Sequence, residues 1–160
     1  MLSNFNYFPL VWHLCGPSDT SKMEKIQERA LRFVFNDTIS SYSNLLQRSK
    51  KPSLLLSRLR KISIEVHKIL AQESPSFLNN LYVRKDTIYN LRDNEKVKQP
   101  AYNTMTYGNN SLRYQGAKLW NQLPAHVKEA TDLNQFKNLI QAWLGPSCSC
   151  SICVLCRTRR

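Results

Sequence analysis

Residues 22 to 35 read K-M-E-K-I-Q-E-R-A-L-R-F-V-F, and their spacing predicts a helix. Met23, Ile26, Ala30, Phe33 and Val34 recur at helical steps, so at about 100° per residue they line up as one apolar stripe. Lys22, Lys25, Arg29 and Arg32 fall within roughly 80° of arc beside that stripe. One face is expected to pack while its neighbour holds four cations on a rigid element. Ser21 with Glu24 has the pattern of a capping box at the head of this helix, and Asn36 with Asp37 supplies a stop.

Outward from this segment the same periodicities continue. Gly16 and Pro17 break the chain before it, after an apolar run from Phe5 to Cys15. Residues 41 to 48 read as a short helix carrying Leu45 and Leu46, and Pro52 with Ser53 starts a longer one. Leu55, Leu59, Ile62, Val66, Ile69 and Leu70 describe its stripe, with Arg60, Lys61 and Lys68 pointing away and an end near Glu73, before Pro75. From Tyr82 to Tyr107 the signal is that of a loop with at most one short hairpin. Leu112, Leu119, Trp120 and Leu123 fit a helix begun at Ser111. Asp132 with Gln135 caps another carrying Leu133, Phe136, Leu139, Ile140 and Trp143, closed by Gly145 and Pro146. The expected fold is mainly α, a small bundle of about five helices over residues 1 to 146. Residues 1 to 16 include an apolar segment, and residues 147 to 160 form a cysteine- and arginine-rich tail.

Composition narrows the partners. Twenty-three Lys and Arg against 11 Asp and Glu give a net charge of +12 in 160 residues. Leu, Ile, Val and Phe account for 42 of the 160 residues, enough apolar sequence for a folded core. Such an excess of positive charge favours polyanions through counterion release. The Phe5 to Cys15 run is broken by Asn6, Pro9 and His13 and has no basic leader, so the expectation is an intracellular protein, nuclear or cytoplasmic, neither secreted nor membrane-spanning. In that compartment the five cysteines are expected to be reduced.

Catalytic patterns are missing. His13, His67 and His126 are isolated, with no Asp or Cys at a spacing that builds a base and a nucleophile. The four glycines, Gly16, Gly108, Gly116 and Gly145, are scattered, so neither a P-loop nor a dinucleotide fingerprint is present. The expectation is a protein that is not an enzyme and takes no small-molecule substrate.

Three phrases occur in order: F-N-Y-F-P-L-V-W-H at 5 to 13, I-Q-E-R-A-L-R-F-V-F-N-D at 26 to 37, and L-W-N-Q-L-P at 119 to 124. With F-K-N-L-I at 136 to 140 and the cysteine-rich end, they resemble the region after the polymerase core in reverse transcriptases of non-LTR, jockey-like (LINE-type) retrotransposons. The resemblance implies thumb and C-terminal segments that grip template and primer, with chemistry performed upstream. Asp19, Asp37, Asp86, Asp93 and Asp132 are never adjacent and no Y-x-D-D occurs, so the polymerase site, which needs paired aspartates for two metal ions, is not in this sequence. An apurinic-type endonuclease is not there either. Met1 is expected to be a start inside such an element.

The candidate site residues follow. Lys22, Lys25, Arg29, Arg32, Arg58, Arg60, Lys61, Lys68, Arg113 and Lys118 are expected to meet RNA or an RNA:DNA hybrid without reading sequence, and Arg48, Lys50 and Lys51 add to the second basic group. Tyr102, Tyr107 and Tyr114, near Arg113 and Lys118, are candidates for stacking on unpaired bases. Trp12, Trp120 and Trp143 belong to apolar stripes and are expected in the core, as is Cys15. Cys148, Cys150, Cys153 and Cys156 form C-x-C-x2-C-x2-C, a donor set for one zinc ion, crowded into nine residues. The alternative function is a helical protein-interaction module with a zinc-stabilised end. A third reading is a fragment with no present role, whose Phe5 to Leu14 segment has lost its packing partner.

Overall fold

A computed structural model describes residues 16–85, 96–104 and 107–146. The described part is helical, with α1 Pro17–Phe35, α2 Tyr42–Ser49, α3 Leu54–Leu70, α4 Leu112–Gln122, α5 Ala125–Lys128 and α6 Leu133–Ala142. A 3-10 turn, Ser76–Leu78, lies between α3 and α4. No strand occurs among the described residues; a single antiparallel bridge joins Arg84 to Val97 in the mid-chain segment. No described helix is long and apolar enough to cross a membrane. The described residues divide into two compact units, 16–59 and 60–146, with the boundary inside α3.

The first unit is organised by α1, which starts earlier than the capping box predicts. Gly16 is the N-cap and Pro17 opens the first turn, where its fixed φ suits a helix and its missing N–H costs nothing. Ser21 therefore lies inside the helix, and Glu24 is free for another use. At the other end Asn36 takes the left-handed conformation (φ 47°) and its N–H returns to Arg32 and Phe33, so the predicted stop holds.

The packed face of α1 is not the apolar stripe. Thr20, Met23 and Gln27 are buried, whereas Ile26, Phe33 and Val34 are exposed, Phe33 to 89% and Val34 to 71%. Ile26, Ala30 and Phe33 are centred roughly 90° around the helix from the buried line. The physical reason is a polar joint. Gln27 Oε1 accepts the Leu54 N–H (3.1 Å), Glu24 Oε1 accepts the Leu55 N–H (2.7 Å) and Ser53 Oγ accepts the Leu56 N–H (3.2 Å). Three of the N–H groups that the start of α3 would leave without partners are thus satisfied, two of them by α1. The Tyr42 hydroxyl, 2.5 Å from Glu24 Oε2 and 2.8 Å from Gln27 Oε1, brings α2 into the same joint, and Gln27 Nε2 donates to Pro52 O (3.3 Å). Burial, and after it the Glu24 carboxylate, pushes the Tyr42 phenol well above its ordinary pKa. Glu24→Ala is expected to cost about 2 kcal/mol, the range of a lost cap plus a lost charge-assisted bond, and to speed hydrogen exchange at the Leu55 amide; Glu24→Gln, which keeps an acceptor, should lose about half of that.

The predicted short helix is α2, capped by the Ser41 side chain on the Asn44 N–H, with Leu45 fully buried. The long helix α3 buries Leu59, Ile62, Val66 and Ile69 as its stripe predicts, and ends at Leu70, just before Gln72 turns left-handed (φ 59°).

The second unit closes around three rings. His67 of α3 stacks on Phe136 of α6 (centroids 4.3 Å apart), and Phe136 stacks in turn on Trp120 of α4 (5.9 Å). Trp120 and Trp143 are buried, as expected. His67 Nε2 donates to Ala130 O (3.3 Å), and since a carbonyl only accepts, that nitrogen carries the proton. Ser111 and Asp132 cap α4 and α6 as predicted, accepting the N–H of Tyr114 and Asn134. Gln135 stays exposed, so only the Asp132 half of that capping box is used. The unpredicted α5 follows Pro124 and buries Val127.

Two contacts explain particular residues of α4, one of them within the phrase at 119 to 124. Asn121 Oδ1 accepts the Val97 N–H (2.8 Å) while its Nδ2 donates to Val97 O (2.9 Å). One amide side chain thereby acts as a strand neighbour for a buried residue. Gly116 allows the buried Tyr82 ring to approach α4 and its hydroxyl to donate to Leu112 O (2.9 Å). Burial raises the Tyr82 phenol above its ordinary pKa.

Candidate nucleic-acid interface

The ten expected phosphate contacts separate into cations used inside the fold and cations left in water. On α1, Arg32 gives Nε and Nη2 to Glu28 Oε1 (3.2 and 2.8 Å) and Nη1 to Thr38 O (2.7 Å), fixing the turn that follows the helix. Lys22 pairs with Asp19 at 3.1 Å, both exposed, a bond worth little in water. Lys25 and Arg29 are exposed and have no ion pair among the described residues.

The cations of α3 are engaged more deeply. Arg58 is 4% exposed and its Nε donates to Leu54 O (3.3 Å), so it is part of the packing rather than a phosphate contact. Arg60, predicted to point away, donates Nε and Nη2 to Trp143 O (3.2 and 2.7 Å) and satisfies the carbonyl end of α6. Its partial burial draws its pKa down. Lys61 is half-buried and engaged, and Lys68 pairs with Glu65 at 2.8 Å. A cation one turn along a helix is as good a cap for a neighbouring helix end as it is a phosphate ligand, and here capping takes it.

On α4, Arg113 is exposed and Lys118 half-exposed, neither in an ion pair among the described residues. They bracket Tyr114, whose ring meets Tyr102 edge to face with centroids 4.7 Å apart. Burial, and then the neighbouring Tyr102, raises the Tyr114 pKa. A Cβ at Gly108 would come within 2.5 Å of Tyr102 Cβ and 2.8 Å of Thr104 O, so a glycine is what fits there. Tyr107 is 83% exposed. The structure thus brings Tyr102 and Tyr114 together and places Lys118 one turn beyond Tyr114 on the same helix, while Arg113 lies about 100° around from Tyr114 and Tyr107 shows no ring contact among the described residues.

The first unit holds a feature the sequence reading did not assign. The exposed face of α1 and the end of α2 enclose an open groove of about 930 Å³, with Ile26, Ala30, Phe33 and Val34 along it and Arg29, Arg48 and Lys51 at its edges. Arg48 lies over the Phe35 ring, 4.6 Å from its centroid, and reaches Asp37 Oδ2 at 3.0 Å. Hydrogen bonds from Ser40, with a further one from Ile39 and the Arg48 charge, hold the Asp37 carboxyl at about 2. The signal that could have revealed the groove is the polar line Thr20, Gln27: a helix that buries these has turned its apolar stripe elsewhere. Trp12, Cys15, the Phe5 to Leu14 segment and the proposed zinc donors Cys148, Cys150, Cys153 and Cys156 lie outside the described residues.

No protein-family model, no curated protein and no solved structure matches this chain.

Proposed function

We propose that this chain is a non-catalytic holder of nucleic acid, binding RNA or an RNA:DNA hybrid without sequence preference, in the manner that its resemblance to the post-polymerase region of LINE-type reverse transcriptases implies. The observation that supports it best is the set of cations with no ion pair among the described residues: Lys25 and Arg29 on α1, and Arg113 and Lys118 on α4, the helix whose Tyr114 meets Tyr102 edge to face. Phosphates pair with the cations, and an unpaired base stacks on the exposed part of the tyrosine pair. Arg32, Arg58, Arg60 and Lys68 belong to the fold and take no part.

Each pair of cations, Lys25 with Arg29 and Arg113 with Lys118, meets two phosphates, and two phosphate contacts on a single strand give a log-log salt slope of about −1.4. The test is anisotropy of a labelled single-stranded RNA and of a labelled RNA:DNA hybrid over a salt series. The double charge reversal Arg113→Glu, Lys118→Glu is expected to weaken binding at least tenfold. Absence of salt-sensitive binding at low ionic strength, or an unchanged affinity in the double variant, would overturn the reading.

A further inference from the structure

We infer that the α1–α2 groove docks an amphipathic helix of a partner protein, one that presents apolar side chains along its centre and glutamates or aspartates along its borders. Ile26, Ala30, Phe33 and Val34 stand at i, i+4, i+7 and i+8, the spacing with which one helix packs on another. They extend over about 12 Å of α1, two turns. The groove volume of about 930 Å³ is roughly what two turns of helix about 10 Å across would fill. Ala30, small and central, lets a second helix axis come close.

Charge decides which helix. Arg29 and Lys51 edge the groove with no ion pair among the described residues, Arg48 beside them is already paired with Asp37, and no carboxylate lines the groove among the described residues. A second copy of the chain would set these cations against their own kind, in a molecule that already carries +12. Carboxylates along the borders of an incoming helix would meet them instead. A nucleic-acid strand fits the edges but not the floor, which is mainly aliphatic. Of the two rings there, Phe35 already has Arg48 over its face, so Phe33 alone remains for a base. The docking site shares Arg29 with the proposed phosphate contacts and none of the Tyr102, Tyr114, Arg113 and Lys118 set, so peptide binding and nucleic-acid binding are read separately.

The test uses the full chain and two labelled helical peptides with identical leucines at i, i+4, i+7 and i+8, one flanked by glutamates and the other by lysines. The glutamate peptide is expected to bind and the lysine peptide to fail. Phe33→Asp, at a residue 89% exposed and so with no burial to lose, is expected to weaken glutamate-peptide binding tenfold or more, with Val34→Ser weakening it in the same direction. Phe77→Asp, equally exposed at 80% but in the other unit, should leave binding unchanged. Equal binding of both peptides, or of neither, overturns the inference, as does indifference to Phe33→Asp. Loss of oligouridylate binding in Phe33→Asp with peptide binding intact would assign the groove to nucleic acid. Loss of a concentration-dependent dimer in that variant would assign it to a second copy.

Discussion

Asn121→Ala is expected to destabilise residues 60–146 by about 3 kcal/mol, the sum of two buried backbone groups left without partners. Val97 is fully buried, and among the described residues both its N–H and its carbonyl are met by the Asn121 amide, at 2.8 and 2.9 Å. An alanine offers neither donor nor acceptor there. Asn121→Asp separates the two halves of the contact. As a carboxylate it still accepts the Val97 N–H but faces the Val97 carbonyl with a second acceptor, so near neutral pH the loss should be similar to that of alanine. Once protonated, the acid can donate to Val97 O. The protonated form is thus favoured by folding, the variant's folded pKa lies above the unfolded one, and the lost stability returns as pH falls through the folded pKa, fully regained below the unfolded value of about 4. Denaturant unfolding of both variants at pH 7 and pH 3.5 checks this. The aspartate variant should approach the parent protein at the lower pH relative to the alanine variant. An alanine variant as stable as the parent at pH 7 would mean that the amide is a bystander, and two destabilised variants that still track each other at pH 3.5 would mean that Val97 O takes no hydrogen bond from this side chain.

The phrase L-W-N-Q-L-P shows which layers of the fold can be read without coordinates. Trp120 and Leu123 were readable as core because burial follows hydropathy and a 3.6-residue period, and Ser111 and Asp132 were readable as helix starts because a cap acts on an N–H two or three residues away, whereas the same pattern at Ser21 lies inside a helix that begins at Pro17. Asn121 was not, since its partner lies 24 residues earlier in a segment with little local pattern. The rotation of α1 failed to emerge for the same reason. Gln27 looks like part of a solvent face until Tyr42, Pro52 and Leu54 are brought to it.

The candidate site was read too generously where a cation has a second use. Arg60 and Trp143 are 83 residues apart, and no spacing rule connects a lysine- and arginine-rich helix to the open carbonyl end of another. Lys25, Arg29, Arg113 and Lys118 keep their expected exposure because no helix end or carboxylate among the described residues competes for them. The groove residues were seen singly, as a stripe and as charges. Only the folded arrangement shows that the stripe is left open between those charges.

Gly116→Ala is the substitution whose sign is most informative. In the interior of an exposed helix the change from glycine to alanine stabilises by about 1 kcal/mol. At Gly116 the new methyl group would run into Tyr82 Oη, with Cζ 2.8 Å and Cε1 3.2 Å away. A tyrosine ring is rigid and this one is 4% exposed, so the ring must leave its place. Its burial is worth about 2 to 3 kcal/mol, and its hydrogen bond to Leu112 O about 1 more, against the helix gain of about 1. The expected net loss is about 2 to 3 kcal/mol. Tyr82→Phe alone should cost about 1 kcal/mol, the lost hydrogen bond. In the Tyr82→Phe background the worst clash is gone while the Cζ and Cε1 contacts remain, so Gly116→Ala there should cost at least 1 kcal/mol less than in the parent protein. Thermal and denaturant unfolding of the four proteins measures the coupling. A stabilised Gly116→Ala protein, or a cycle with no coupling, would show that Tyr82 does not lie against α4 and that the glycine answers to something other than this ring.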